Sequence, residues 1–285
     1  RVAIIGLGLM GGSLGLALRE GKLARQIIGY DAQPEAAAEA LARHLVDSLA
    51  PTPAGVVANA DLIVIAIPTL AVRATLAAIT PACAPGALIT DLCSVKEPVV
   101  AWAEATLPQP GRFVGGHPMT GRERSGPAAA QTDLYRGARW PLTPTSVTNP
   151  AALARITSLV TALGATPLLL PPEKHDWLVA AISHLPLLAA TALMQTLAET
   201  DDWPEMAQLA AGGFRDTTRV AAGDPIMGRD ICLTNRLPIL RRLDAYLAEL
   251  SALRQAIDTG DKTTLEAIFR AAQASRRVWE HEAGS

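Results

Sequence analysis

Cysteine is scarce, with three thiols in 285 residues: Cys83, Cys93 and Cys232. None is spaced as CxxC, and an odd number closes no disulfide framework, so a reduced, cytoplasmic setting is the simpler expectation. A charge imbalance is lacking as well. Charged residues are 18% of the chain and the formal net charge is −2. That argues against a nucleic-acid partner held by phosphate neutralisation and against a polybasic membrane anchor. The apolar runs are broken by Gly, Pro or charge short of the ~20 residues a membrane span requires, so no membrane partner is expected. The opening residues RVAIIG already read as a buried strand, so no signal peptide is expected there. What the chain has is apolar residues, 49% of it, enough for a real core in roughly two ordinary domains.

The first half alternates short apolar runs with helical patterns. Strands are expected at Val2–Ile5, Gln26–Tyr30, Leu62–Ile67, Leu88–Leu92, Phe113–Val114, Trp140–Thr143 and Thr166–Leu170. Helices are expected at Gly11–Glu20, Pro34–His44, Leu70–Ile79, Lys96–Ala105 and Ala151–Leu163. The strand runs are continuously apolar rather than alternating, as in parallel strands covered on both faces. This predicts an α/β fold, a doubly wound Rossmann-type parallel sheet. After Pro171-Pro172 no strand is expected. Helical patterns run over Glu173–Glu199, Met206–Ala211, Pro225 to about Asp258, and Lys262–Glu282. Asp224-Pro225 reads as an N-cap with Pro at the first helical position, and Asp261 as another cap. Pro186 and Pro238 should kink or interrupt their helices. The expected division is residues 1–171, a dinucleotide-binding domain, and 172–285, an all-helical domain. Its Ala- and Leu-rich faces are apolar enough to expect a dimer interface.

Gly6-Leu7-Gly8-Leu9-Met10-Gly11 is GxGxxG, directly after one strand and directly before one helix. Gly6 permits the turn, Gly8 lets the backbone approach a pyrophosphate, and Gly11 lets the helix pack on the strand. Asp31 ends the next strand 20 residues beyond Gly11. Its carboxylate can accept ribose hydroxyls and would repel an added phosphate, and no arginine occupies residues 32–34, which favours NAD over NADP. The bland alternative is a glycine-rich turn with no nucleotide. Other strand ends should line the same crevice: Pro68-Thr69, Cys93-Ser94 and Gly116-His117.

An enzyme that oxidises an alcohol needs a base for the hydroxyl proton, and histidine suits that role. His117 in VGGHPMTGRERSG, at a strand's carboxyl end beside the nucleotide signature, is the candidate, with Ser94 as its neighbour. The glycines before it are expected to let the strand end approach the cofactor. His44 and His281 read as surface residues. His184 is either a satisfied core histidine or a cleft residue. His175 has a helix-start role at least as readily as a chemical one. No metal site is expected: the His/acid pair His175-Asp176 sits on adjacent helix positions that point in different directions. Lys96 contacts cofactor, forms an ion pair on the surface, or caps a helix start. Arg215 and Arg219 lie four apart, on one face if helical. Arginine's planar fork suits a carboxylate, the alternative being ion pairs with Asp216 or another acid.

These fragments together resemble the prephenate/arogenate (cyclohexadienyl) dehydrogenases of tyrosine biosynthesis. The resemblance rests on GLGLMGGSLGLAL (6–18), DLCSVK (91–96), GGHPMTG (115–121), LYRGARWPLTP (134–144), HDWLVAAISHLP (175–186), GGFRDTTRVAAGDPIMGRDI (212–231) and Asn235. It implies an NAD-dependent oxidoreductase. The substrate ring loses hydride to the cofactor and its carboxylate as CO2, giving 4-hydroxyphenylpyruvate from prephenate or tyrosine from arogenate. It implies that His117 takes the ring hydroxyl's proton, with Ser94 orienting it. It implies that Arg219 binds a substrate carboxylate, that Ser183 and His184 line the pocket, and that the chain forms a homodimer through the helical domain.

Three departures touch the pocket. Some prephenate-using relatives carry histidine where Leu187 stands, some carry tryptophan at Gly228, and many have a small hydroxyl residue at Arg122. They lean toward arogenate or dual use, unless Arg122 restores a carboxylate contact. Two rival readings share the fold. A β-hydroxyacid dehydrogenase would need a lysine in the helical half, where only Lys174 and Lys262 stand and neither lies in such a motif. A non-enzymatic dinucleotide-binding protein would not need Ser94, His117 and Arg219 together.

Overall fold

The computed structural model describes residues 1–283. In chain order its elements are β1 (Val2–Ile5), α1 (Leu9–Glu20), β2 (Ile27–Tyr30), α2 (Pro34–Ala42), β3 (Ser48–Leu49), α3 (Pro53–Val57) and β4 (Leu62–Ile65). Next come α4 (Val72–Ile79), β5 (Leu88–Asp91), α5 (Glu97–Thr106), β6 (Phe113–Gly116), β7 (Arg139–Thr143), α6 (Pro150–Ala162) and β8 (Thr166–Leu169). The remainder is helical among the described residues: α7 (Pro172–Val179), α8 (Leu185–Ala198), α9 (Trp203–Leu209), α10 (Gly212–Thr218), α11 (Pro225–Thr234), α12 (Arg236–Asp258) and α13 (Lys262–Ala283).

The strands form one sheet in the order β3-β2-β1-β4-β5-β6-β7-β8. Their apolar runs are continuous because both faces are covered. Val2 and Ile4 of β1 join one core cluster with Leu14, Leu18, Ile156 and Val160, beneath α1 and α6. Ala3 and Ile5 join the other with Val56, Val72, Leu76 and Val99, beneath α3, α4 and α5. Strand order reverses between β1 and β4, so the carboxyl ends of those two strands open the crevice in which such sheets bind ligands.

Several expectations need correction. The sheet is not wholly parallel, because β7 pairs antiparallel with β6. The connection from Gly116 to Arg139 holds only a short 3₁₀ turn, Pro127–Ala129, and lacks the crossover helix that usually returns a chain parallel. Three small elements escaped the pattern reading, one of them α10 in the helical half. β3 has only two residues, and α3 has five, started by Pro53 and by Thr52, whose Oγ1 accepts the Gly55 N–H at 3.0 Å. The helix expected over Glu173–Glu199 is divided by a π turn at Ala180–His184. Pro186 follows at the second position of α8, so the wider turn accommodates its missing donor. The helix expected from Pro225 to Asp258 breaks at Asn235. Pro238 then falls in the first turn of α12, where a backbone N–H is not needed. The start at Asp224 is as expected: its Oδ1 accepts the N–H of Ile226 at 2.8 Å and of Met227 at 3.2 Å.

One helical stretch, Pro172–Ala198, is long and apolar enough to cross a membrane by length and composition. The sequence reading counted its charged and proline residues as interruptions. Its first turns carry buried His175, Asp176 and His184 packed in the fold.

The chain divides into two compact units, residues 1–236 and the segment from Leu237 onward. In the second, α12 and α13 leave Leu247, Ile257, Phe269, Val278 and Trp279 exposed.

At the end of β1, Gly6 has φ +93°, and a Cβ there would lie 2.2 Å from the Ala66 carbonyl oxygen. A Cβ on Gly11 would lie 1.9 Å from the Gly6 carbonyl oxygen. Gly6→Ala is therefore expected to destabilise the protein by about 1–3 kcal/mol, as overpacking does. Thermal or urea unfolding measures this, and an unchanged midpoint contradicts the packing described.

Candidate active site

The first loop carries the geometry its glycines promised. Gly8 precedes α1 with no side-chain cap, so the first N–H groups of that helix remain available to an anion. A Cβ at Gly8 would meet nothing nearer than the Gly126 nitrogen at 3.9 Å; the space above the loop is open. Leu9 and Gly11 are buried, and the half-buried Met10 accepts the Tyr135 hydroxyl at its carbonyl, 2.6 Å away. Asp31 is tied to this loop. Its carboxylate accepts the N–H of Leu7 at 2.8 Å and of Gln33 at 2.9 Å. At the end of β4, Pro68 is exposed and Thr69 buried. The next residue, Leu70, donates its N–H to Asp230 of α11 at 3.0 Å, joining that strand end to the helical part.

The ends of β5 and β6 are joined by a buried ion pair. Lys96 and Asp91 are fully buried and bonded to each other. Lys96 Nζ also donates to the Gly116 carbonyl at 2.7 Å, while Asp91 accepts the N–H of Cys93 and Gly116. Lys96 does form an ion pair, but a fully buried one and not the surface pair weighed for it, and it stands at the N-cap of α5 without a side-chain cap bond. Ser94 lies half-buried on this turn. The two glycines before His117 serve packing: a Cβ on Gly115 would lie 2.4 Å from Thr143 Oγ1, and one on Gly116 would lie 2.9 Å from both the Asp91 carbonyl and Trp140 Nε1. That is a different reason from the cofactor approach expected of them.

His117 is buried, its own N–H donating to the Pro141 carbonyl at 3.0 Å. Its Nδ1 lies 2.9 Å from His175 Nε2. His175 in turn places Nδ1 2.7 Å from Asp176 Oδ1. Adjacent helix residues were expected to diverge; here the histidine ring turns back along the helix and meets its neighbour's carboxylate. Asp176 also accepts the N–H of Lys96 at 2.7 Å and of Glu97 at 2.8 Å. It thereby caps α5, whose own N-cap residue offers no side-chain bond.

His184 completes a second buried group. Asn235 Nδ2 donates to the Asp176 carbonyl at 2.8 Å and lies 3.0 Å from His184 Nδ1. That leaves a hydrogen on His184 Nε2, which is buried without a hydrogen-bond partner among the described residues. Ser183 beside it is half-buried. The three arginines of the sequence reading are all exposed. Arg219 begins a 3₁₀ turn after α10 and pairs with Glu123, while Arg215 pairs with Asp216 at 3.3 Å. Arg215 and Arg219 thus hold separate acids. Among the described residues no ion pair of Arg122 is found.

Burial holds the His117 pKa well below the usual histidine value, helped by nearby His175, Lys96 and His184. Burial likewise lowers His184 to about 4, against a raising effect of Asp176. Both imidazoles are therefore neutral at pH 7. The unfolded chain binds more protons than the folded one between each depressed pKa and 6.5. Their stabilising contribution is complete above pH 6.5 and falls away on acidification, by ~1.4 kcal/mol per pH unit per group. Thermal midpoints are expected to drop between pH 7.5 and 5, and to drop less in His184→Gln. Equal slopes for the two proteins contradict this.

Comparison with known proteins places the chain among dehydrogenases. Residues 14–169 match the family model for the prephenate dehydrogenase nucleotide-binding domain, and residues 171–271 that for the prephenate dehydrogenase dimerization domain. Prephenate dehydrogenase of Bacillus subtilis is 36% identical over 96% of this chain and 75% of its own length. Cyclohexadienyl dehydrogenase of Zymomonas mobilis is 33% identical over 96% of this chain and 94% of its own. Among solved structures, prephenate dehydrogenase from A. aeolicus, in complex with hydroxyphenyl propionate and NAD+, superposes with a TM-score of 0.89. It is 31% identical, covering 97% of this chain and 96% of that one.

Proposed function

The chain belongs to the prephenate dehydrogenase family, and on that premise we propose how its own residues carry out oxidative decarboxylation of prephenate or arogenate. The observation that carries the reading is the buried, neutral His117 at the carboxyl end of β6, in the same sheet as the glycine loop.

NAD, when bound, supplies the hydride acceptor. The residues present fit it: an uncapped α1 N-terminus for the pyrophosphate, open space over Gly8, and the Asp31 carboxylate beside the loop for the ribose hydroxyls. Gly6, Gly11, Leu9 and Met10 shape that cradle, and Pro68 and Thr69 border it from β4. An anionic Asp31 favours NAD over NADP.

His117 takes the ring hydroxyl's proton, and Ser94 on the neighbouring turn orders that hydroxyl. Its low pKa keeps the base form available well into mild acid. The unpartnered His184 Nε2–H donates to the substrate, with Ser183 beside it. Arg219 binds a substrate carboxylate. Its guanidinium already holds the Glu123 carboxylate and is 59% exposed, so a ligand can reach it. Arg122 and Arg215 are the further cations a second carboxylate could use. Leu187 and Gly228 lie against each other, with a Cβ on Gly228 reaching the Leu187 side chain at 4.0 Å. That apolar spot leans the preference toward arogenate or dual use.

Residues 172–285 serve as the dimerisation domain, and a homodimer covers the exposed apolar side chains of α12 and α13. Three free thiols fit a cytoplasmic enzyme. A β-hydroxyacid dehydrogenase would need a lysine from the helical half in the site, but Lys174 and Lys262 are both exposed.

His117→Asn is expected to bind both ligands and lose ~10²–10⁴ in kcat. Arg219→Ala should mainly raise KM for the carboxylate substrate. Absorbance of the reduced cofactor with prephenate and arogenate in turn measures both. Near-normal turnover of His117→Asn removes the base assignment, and an unchanged KM in Arg219→Ala removes the anchor.

A further inference from the structure

Two buried side chains have no part in the reading above, His175 and Asp176. Three N–H donors converge on the Asp176 carboxylate: Lys96 N, Glu97 N and the His175 ring at Nδ1. A carboxylate capping a helix N-terminus accepts on both oxygens. The hydrogen on His175 Nδ1 is therefore donated to Asp176. Across the other side of the ring, His175 Nε2 and His117 Nδ1 stand 2.9 Å apart, and one proton lies between them. The rings meet edge-on at 73°, so this contact is a directed bond and not a stack.

That proton has two possible owners. If it sits on His175, that ring is an imidazolium, His117 accepts at Nδ1, and His117 Nε2 carries a hydrogen. Such a His117 has no lone pair for an incoming proton. If it sits on His117 Nδ1, His175 is neutral and His117 Nε2 is bare. Only the second arrangement is a base, and it aligns every donor toward the one carboxylate.

We propose that His175, anchored by Asp176, is a positioning residue that holds His117 as the Nδ1–H tautomer and stabilises the imidazolium formed during turnover. The proposal rests on the reading of His117 as proton acceptor. The balance is simple. The hydroxyl proton goes to His117 Nε2 and the hydride goes to NAD; the ring carboxylate leaves as CO2, its bonding pair passing through the ring to the oxygen, and the phenolate so formed takes the proton back from His117 Nε2. The proton on Nδ1 stays there and is donated to His175, and Asp176 gains none. A wrong tautomer in a comparable acid-histidine arrangement costs about 10⁴ in kcat, and supporting partners elsewhere typically cost ~10–100-fold. A loss between those limits is expected here.

The test has two arms. Ring nitrogen NMR of histidine-labelled wild-type enzyme, with His117 assigned by its absence in His117→Asn, reads the tautomer directly. The expected spectrum shows His117 protonated at Nδ1 and bare at Nε2 near neutral pH. A hydrogen on His117 Nε2, with His175 doubly protonated, overturns the proposal. Kinetics of His175→Phe and His175→Gln form the second arm. His175→Phe should lose ~10²–10⁴ in kcat with little change in KM for either ligand. His175→Gln, whose amide oxygen can accept from Nδ1, should recover part of the loss. Equal, near-wild-type kcat in both variants overturns the proposal, and so does a loss confined to KM. If His175→Phe fails to fold, the wild-type spectrum still decides. If His117→Asn itself turns over normally, the underlying reading fails; if it is dead while the tautomer is wrong, only the positioning role fails.

Discussion

The site depends on one buried carboxylate. Asp176 receives the first N–H groups of α5, the His175 ring and, through its own carbonyl, the amide of Asn235. A lone buried carboxylate costs several kcal/mol to desolvate. Here three N–H groups meet the carboxylate, and hydrogen bonds to a charged group contribute about 1.5–3 kcal/mol each. The positive end of the α5 dipole adds to the same effect. The arrangement joins helical residues 175, 176 and 235 to the turn that follows β5. It therefore ties those helical residues to the sheet end that carries His117.

A second buried pair acts on the other side of that turn. Lys96 and Asp91 tie the ends of β5 and β6 together through Gly116. Between the two anchors, His117 is buried. Burial, helped by Lys96 and the neighbouring histidines, depresses its pKa, which keeps a neutral imidazole in place. Aromatisation of the ring supplies the driving force, so the protein's task is orientation and charge stabilisation rather than brute activation.

Much of this was legible where the determining information is local. The glycine loop, Asp31, the apolar strands and the Asp224 cap are set by residues a few positions apart, and each stands in the structure. His117 was legible because a strand end beside a nucleotide loop is a functional address. The direction of β7 was not, since it depends on what the connecting segment fails to build. The π turn was signalled only by Pro186 and took a form that periodicity does not encode. His175 and Asp176 were read as adjacent positions with diverging side chains. Their partners lie 58 and 80 residues away, and a contact between neighbours on one helix is invisible to spacing rules. Lys96 was ambiguous for the same reason: its acid is close in sequence, but its burial is a tertiary fact.

The central claim is that Asp176 matters to turnover through His117. A double-mutant cycle of Asp176→Asn and His117→Asn, read as kcat at saturating cofactor and substrate, tests it most directly. If the two residues act as one unit, the double variant is no slower than His117→Asn alone. If the two losses multiply, Asp176 supports the enzyme by a route that does not pass through His117, and the account is wrong.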